Sequence, residues 1–315
     1  MPQTFQKDTP KDIIRGTVIT TLIFAVSVYI PILGFFFALF IPLPILFYRS
    51  KLGRATGFII PALTVVVMIF VLGRITIDVL IFFELLLIGF VLSELIELNL
   101  SIERTMLYTC GTVLFTGLAG LFFYSNFHNT GIFALASAYV AKNLELTMVL
   151  YENMGMPEES MAVISNSLEN IRYVMIRIVP AIAVVATLFV VWISLLLAKP
   201  ILKAKALFYP AFGRLNQWKA PETLVWGVIG CGLLLLLPSK AFKMIGLNGI
   251  LILMTLYFFQ GIAIVSFYFE KKQFPPILRL ILYIFIAMQQ VILLIVIGLG
   301  FFDMWLNFRK LEIDE

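Results

Sequence analysis

The sequence predicts an all-α fold, a polytopic transmembrane helical bundle of about eight or nine spans with an amphipathic extramembrane segment between two halves. Of its 315 residues, 61% are hydrophobic and only 13% are charged, against roughly 45–50% and 25% in soluble domains. The mean hydropathy is +1.03. Several apolar runs reach the ~18 residues needed to cross about 30 Å of hydrocarbon. These observations indicate a membrane protein.

The first half, residues 1–124, holds five predicted spans. Pro31 divides the first apolar run, because proline ends or kinks a helix, and a basic break at 49–54 follows the second span. No small-residue cleavage site follows the first run, so we expect an uncleaved helix rather than a signal peptide. The five spans cover residues 16–31, 33–48, 57–73, 78–99 and 105–124.

Residues 125–173 form a predicted amphipathic external connection. Its acidic side chains outnumber its basic ones, and apolar residues recur at helical spacing. Met156-Pro157-Glu158-Glu159 is typical of a helix start, with proline in the first turn and acids at the positive end of the helix dipole. We therefore expect two surface-lying helices joined near Gly155.

The second half, residues 174–315, holds four further predicted spans and a basic loop from Lys199 to Lys219. Nine spans result, or eight if one short run is re-entrant. The four spans cover residues 174–198, 222–238, 246–269 and 276–305.

The positive-inside rule predicts a cytoplasmic N-terminus, because the basic breaks at 49–54, 199–219 and 271–279 then all lie inside. Arg309 and Lys310 disagree with nine spans, since an odd number of spans would place them outside. Either the number of spans is off by one or the terminal acids offset these two cations.

Several function classes are excluded by missing motifs. The sequence has no phosphate-binding loop and no HExxH, GxSxG or GxGxxG motif. Cys110 and Cys231 have neither metal nor disulfide spacing, and His128 has no ligand partner at suitable spacing. We expect no enzyme activity, no cofactor, no metal site and no nucleic-acid partner.

The fourth span carries three glutamates at membrane depth. An ionised carboxylate there costs roughly 2.5–3.5 kcal/mol on insertion scales. On a helix, Glu94 and Glu97 are about 60° apart and Glu84 is about 80° from Glu94, so all three share a broad face. Glu94 and Glu97 are equally well explained as interfacial side chains that reach water. Glu84 indicates either function or a buried partner such as Arg74 or Arg177.

Four amides also lie in predicted spans. We propose Glu84, Asn248 and Gln260 as ligand contacts, with Glu94, Glu97, Gln289 and Gln290 as a polar seam. The alternative is that the amides simply bond between helices, at ~0.6 kcal/mol each on average. Asp303 and Arg309 are predicted to form a terminal ion pair.

The last seventy residues contain distinctive sequence motifs. They contain LYFFQGIAIVSFYF (256–269), KKQFPPILRLILY (271–283) and FFDMWLNFRK (301–310). This resembles the YybS-like family of bacterial membrane proteins, domain of unknown function 2232.

That family is similar in fold to the substrate-binding components of energy-coupling-factor vitamin transporters and to the rod-shape protein MreD. The stretch 42–63 looks like the early helices of such components. One departure is clear: the first helix offers Thr17, Thr21 and Ala25 where those components have an Ala-x-x-x-Ala pattern. The resemblance implies a bacterial inner-membrane protein.

Two functions are open at this point. The first is a transporter-like core that binds or moves a small polar solute or lipid. The second is a non-transporting membrane scaffold for envelope or cell-shape machinery, similar in role to MreD. Expected partners are membrane lipid, a small polar solute, and other subunits that contact the basic loop. An outward-facing polar cavity would favour the first function, and a dry core with internally paired glutamates would favour the second.

Overall fold

A computed structural model describes residues 9–73 and 76–310. Within these ranges the chain is helical and contains no strand. In order, the helices are α1 (Thr9–Tyr29), α2 (Pro31–Ala38), α3 (Pro42–Leu52), α4 (Arg54–Gly57), α5 (Ile59–Leu72), α6 (Ile77–Glu97), α7 (Ile102–Phe127), α8 (Ile132–Asn153), α9 (Glu158–Ala204), α10 (Leu224–Leu236), α11 (Lys240–Lys271), α12 (Pro276–Met288) and α13 (Gln290–Leu306).

Seven helical segments among the described residues are long and apolar enough to cross a membrane, with α4 and α5 taken together as Arg54–Leu72, and eight if α12 and α13 form one broken span. This confirms the polytopic helical bundle. Two of the nine predicted spans, 33–48 and 222–238, are not among these candidates because they correspond to short helices. α3 has 11 residues and α10 has 13, which at 1.5 Å per residue gives only about 16 and 20 Å.

The predicted span at 276–305 is broken at Gln289, where α12 and α13 meet at 102°. Gln289 has extended backbone angles, φ −100° and ψ 107°, which interrupt the helix without any proline or glycine. The alternative of a re-entrant run therefore has a structural candidate in this pair.

The connection at 125–173 differs in part from its prediction. Two helices do meet at Gly155, whose φ of +73° suits glycine in a turn. However, α9 continues for 47 residues, about 70 Å, so the external helix and the span predicted at 174–198 are one continuous element. α8 also passes the length and hydropathy test for a span, although little of it is buried.

Packing divides the chain into two compact units. The first comprises Met1–Arg172 and Ala186–Ala211, and the second comprises Tyr173–Val185 and Phe212–Glu315. The predicted domains 1–124, 125–173 and 174–315 stay a prediction, since they were drawn from hydropathy rather than packing.

The first unit is centred on α1, α3, α5 and α6, whose buried side chains include Phe24, Ile45, Ile60 and Leu86. Gly89 lets α6 approach α3, because a Cβ at this position would overlap the carbonyl oxygen of Pro42. Lipid tails are as apolar as leucine, so close packing rather than release of water holds such helices together.

The second unit is centred on α11, which packs against both α10 and α13. A Cβ at Gly246 would lie 2.7 Å from the carbonyl oxygen of Cys231, and one at Gly300 would overlap the carbonyl oxygen of Tyr257. Small residues therefore let both neighbours come close to α11.

Candidate functional site

Arg49 is the centre of a buried polar cluster in the first unit. It lies in the last turn of α3 and is 2% exposed. Its guanidinium contacts Glu94 through Nη2 at 2.5 Å and Glu97 through Nη1 at 2.5 Å. It also donates from Nη1 to the Ser93 carbonyl oxygen at 3.2 Å. One arginine therefore binds both carboxylates at the C-terminal end of α6.

The charges around this arginine are paired as well. Lys51 lies 2.6 Å from the buried Asp12 of α1, and Arg54 lies 3.6 Å from Glu94. The basic break at 49–54 therefore serves as the ionic partner of α1 and α6. From the sequence, these cations were predicted only to orient the helices in the membrane. The sequence signal that could have indicated this pairing is the presence of Glu94 and Glu97 at the end of the fourth predicted span.

Backbone packing fixes the arginine in place. A Cβ at Gly57 would lie 2.6 Å from the Cα of Arg49, so the glycine lets the chain after α3 fold directly over it. Leaving a buried arginine without its acids typically costs 3–5 kcal/mol. The cluster therefore acts as a lock between α3 and α6.

Glu84 lies apart from this cluster, ten residues or about 15 Å before Glu94 along α6. It is half-buried, and one of its oxygens accepts a hydrogen bond from Thr116 Oγ1 of α7 at 2.9 Å. The described residues give it no salt bridge. Its suggested partner Arg74 lies outside the described residues. Arg177, the other suggestion, stacks on Tyr173 with its guanidinium carbon 3.3 Å from the ring centroid.

A second buried arginine, Arg309, organises the second unit. Its Nη2 contacts Asp303 Oδ2 at 2.8 Å, and both side chains are fully buried. Asp303 also accepts a hydrogen bond from Gln260 Nε2 at 3.0 Å. Asn307, with φ +40°, turns the chain after α13, so Arg309 folds back onto the helix. The predicted terminal pair is present, buried rather than exposed.

The same cluster holds the loop before α10. Arg309 Nη1 donates to the carbonyl oxygens of Asn216 and Trp218, each at 3.0 Å. Gln260 Oε1 accepts from the Ala220 N–H at 3.1 Å. The loop, the middle of α11 and the end of α13 are thus bonded to each other, and both polar ends of Gln260 are used.

Asn248 bonds across a proline site in α9. Its Oδ1 accepts from the Ala181 N–H at 2.9 Å, and its Nδ2 donates to the Arg177 carbonyl at 3.0 Å and to the Met244 carbonyl at 2.9 Å. Ala181 and Arg177 are i and i−4 in a helix that contains Pro180, and proline disturbs this backbone ladder. The amide bridges the disturbed turn.

The structure separates the two predicted contacts that lie on α11. Asn248 and Gln260 lie on one helix but are 12 residues, about 18 Å, apart, and each bonds to different groups. Gln289 and Gln290 are exposed at the bend between α12 and α13. The ligand role predicted for Glu84, Asn248 and Gln260 stays a prediction, as does the seam.

Potential metal ligands are dispersed in the described parts of the chain. No group of three His, Cys, Asp or Glu side chains within 9–73 and 76–310 is placed to hold a metal ion. Both cysteines are free thiols. Two buried arginine clusters hold helices together. The cations at Arg49 and Lys51 connect α3 to α6 and α1, and Arg309 with Asp303 connects the loop before α10, α11 and the end of α13.

Comparison with known proteins gives the family. Residues 18–304 match the model described as "Predicted membrane protein (DUF2232)". The chain is 23% identical over 311 residues to the "Uncharacterized protein YybS" of Bacillus subtilis (strain 168), which covers 95% of this chain and 97% of that relative. No solved structure matches. The chain belongs to the DUF2232 family of predicted membrane proteins.

Proposed function

We propose that this multi-pass membrane protein is a non-enzymatic scaffold of the bacterial inner membrane, serving envelope or cell-shape machinery. The observation that carries the proposal is the Arg49 cluster. In it, Arg49 forms ion pairs with Glu94 and Glu97, two of the three carboxylates that would line a solute path along α6. A protein that moves a polar solute needs free polar groups along its route, whereas a scaffold needs its helices fixed.

The second unit supports the same proposal. Asp303 is bonded to both Gln260 and Arg309, and Asn248 is bonded to backbone groups of α9. These side chains stabilise the fold and leave few polar atoms for a ligand.

A scaffold also needs a surface for partners, and the hairpin of α8 and the first part of α9 provides one. Apolar side chains on it are exposed, among them Phe133, Leu146 and Val149 of α8 and Val163 of α9. Exposed apolar surface of this kind is typical of sites that contact other proteins or the membrane. The basic loop Lys199 to Lys219 is a second contact region for cytoplasmic partners.

The test is gentle purification of a tagged copy from its own membrane, followed by native mass spectrometry. The scaffold predicts that envelope-growth proteins copurify without a small-molecule ligand. A double Leu146→Ala, Val149→Ala variant should lose those partners, while the matched surface change Glu152→Gln should keep them. Copurification of ATPase subunits with a bound solute would overturn the proposal.

The second candidate is a solute-binding, transporter-like core, and Glu84 favours it. This carboxylate lies within a candidate span, is partly accessible, and has a described bond only to Thr116. A solute with a cationic or hydroxyl group would fit it. If this candidate is right, Glu84→Gln should weaken binding of the copurifying solute at least tenfold, while Thr116→Val, which removes only a helper hydroxyl, should weaken it less. Equal affinity in both variants and the unchanged protein would remove Glu84 from the site.

A further inference from the structure

An apolar groove runs along the first unit between α1 and α3. Its volume is about 270 Å³. It is lined by Ile19, Ile23, Phe40, Leu43, Pro44, Phe47, Tyr48 and Ile201, which come from α1, from α3 with the turn before it, and from the end of α9. Sites for drug-sized ligands measure about 300–1,000 Å³. The groove therefore suits part of a hydrocarbon chain rather than a whole polar solute.

One end of this groove is charged. Arg15 precedes Ile19 by four residues, which places it on the same side of α1 one turn closer to the helix start. The charged side chains of Asp12, Lys51 and Arg15 all lie close enough to Tyr48 to interact electrostatically with its hydroxyl, and Tyr48 lines the groove.

The balance of these charges favours an anion. Asp12 is paired with Lys51 at 2.6 Å, so those two charges cancel. Arg15 is exposed, and no described acidic side chain pairs with it. Lys205 adds a second exposed cation, since it follows the groove residue Ile201 by four positions at the end of α9. An apolar groove bordered by unpaired positive charge is complementary to a ligand that has a hydrocarbon chain and an anionic headgroup.

We infer that this groove binds an acyl chain of an anionic membrane phospholipid and that Arg15 contacts the headgroup, with Lys205 as a second cation. Neutral phospholipids share the chain but lack the net negative charge. The groove therefore provides affinity for any such lipid, and the cations provide preference among lipids. This lipid site does not depend on the scaffold proposal.

The test is native mass spectrometry of the full chain released from nanodiscs that contain equal amounts of dioleoyl phosphatidylglycerol and dioleoyl phosphatidylcholine. These lipids have identical chains, so the ratio retained reports the headgroup alone. We expect one retained lipid, enriched in phosphatidylglycerol. Each Lys or Arg near a membrane surface attracts anionic lipid by an amount equivalent to about fivefold in affinity. Arg15→Gln should therefore lower the retained ratio about fivefold.

Arg104→Gln is the matched control, because Arg104 is an exposed arginine in the first turn of α7 that does not line the groove. Its ratio should stay unchanged. Ile19→Trp should reduce retention of both lipids by filling the groove. Ile19→Phe provides the same test if the tryptophan variant unfolds at a lower temperature than the unchanged protein. Soluble glycerophosphoglycerol, a headgroup without chains, should not compete. Equal retention of the two lipids, or equal ratios for Arg15→Gln and Arg104→Gln, would overturn the inference.

Discussion

Removing both acids of the Arg49 cluster should destabilise the first unit far more than removing the arginine. The side chain of Arg49 is 3% exposed, whereas those of Glu94 and Glu97 are 26% and 47% exposed. In the double variant Glu94→Gln, Glu97→Gln, a guanidinium stays buried without a carboxylate. Breaking a buried pair in this way costs about 3–5 kcal/mol.

The single changes should cost less, for reasons visible in the geometry. In Arg49→Met the two carboxylates still reach water, so we expect a loss of about 1–3 kcal/mol, the usual value for hydrogen bonds to charged groups. Glu94→Gln alone leaves Glu97 at 2.5 Å from the guanidinium, and its cost should fall in the same range.

The assay is reversible unfolding of the purified protein by dodecyl sulfate in mixed micelles. It can be followed by tryptophan fluorescence, with the buried Trp192 of the first unit as a reporter. Arg54→Gln is the matched control, because the Arg54 side chain is 79% exposed and 3.6 Å from Glu94; such surface pairs contribute about 0–1 kcal/mol. If the double variant lost no more stability than Arg54→Gln, the cluster would not be the lock between α3 and α6.

Three further changes test the second unit with the same unfolding assay. Arg309→Met leaves the fully buried Asp303 without a cation and should cost about 3–5 kcal/mol; a loss below 1 kcal/mol would contradict the buried pair. Asn248→Leu leaves two backbone groups beside Pro180 unpaired and should cost about 1–3 kcal/mol, with Asn248→Gln as the control that keeps the amide. Gly300→Val should cost about 1–3 kcal/mol by overpacking, whereas Gly298→Val, where a Cβ meets nothing within 4 Å, should cost little.

Part of this site could be predicted from sequence. The spacing of Glu94 and Glu97 puts them on one side of α6, and their side chains do bind one group together. The identity of that group could not be predicted, because Arg49 is 45 residues away in the chain. Its approach depends on Gly89 and Gly57 allowing close backbone contact, which no local periodicity reports.

The fold shows the same division between local and distant causes. Pro31 and the turn at Gly155 were predicted from residues that act on their own backbone. The break at Gln289 was not, because glutamine tolerates a helix and nothing nearby forbids one. Likewise, Pro180 could be recognised as a disturbance in α9, but its partner Asn248 comes from α11, 67 residues from Ala181.

The cluster around Arg309 also determines when, during synthesis, the second unit can complete its polar contacts. Asp303 follows Gln260 by 43 residues, a delay of about 2–9 s at 5–20 residues per second. During that interval α11 has been synthesised, while the amide of Gln260 lacks its acidic partner and the loop at Asn216 and Trp218 lacks the guanidinium that holds it. The polar cluster of the second unit can therefore form only after α13 and Arg309 have been synthesised, so α11 is made before the groups that satisfy its amide.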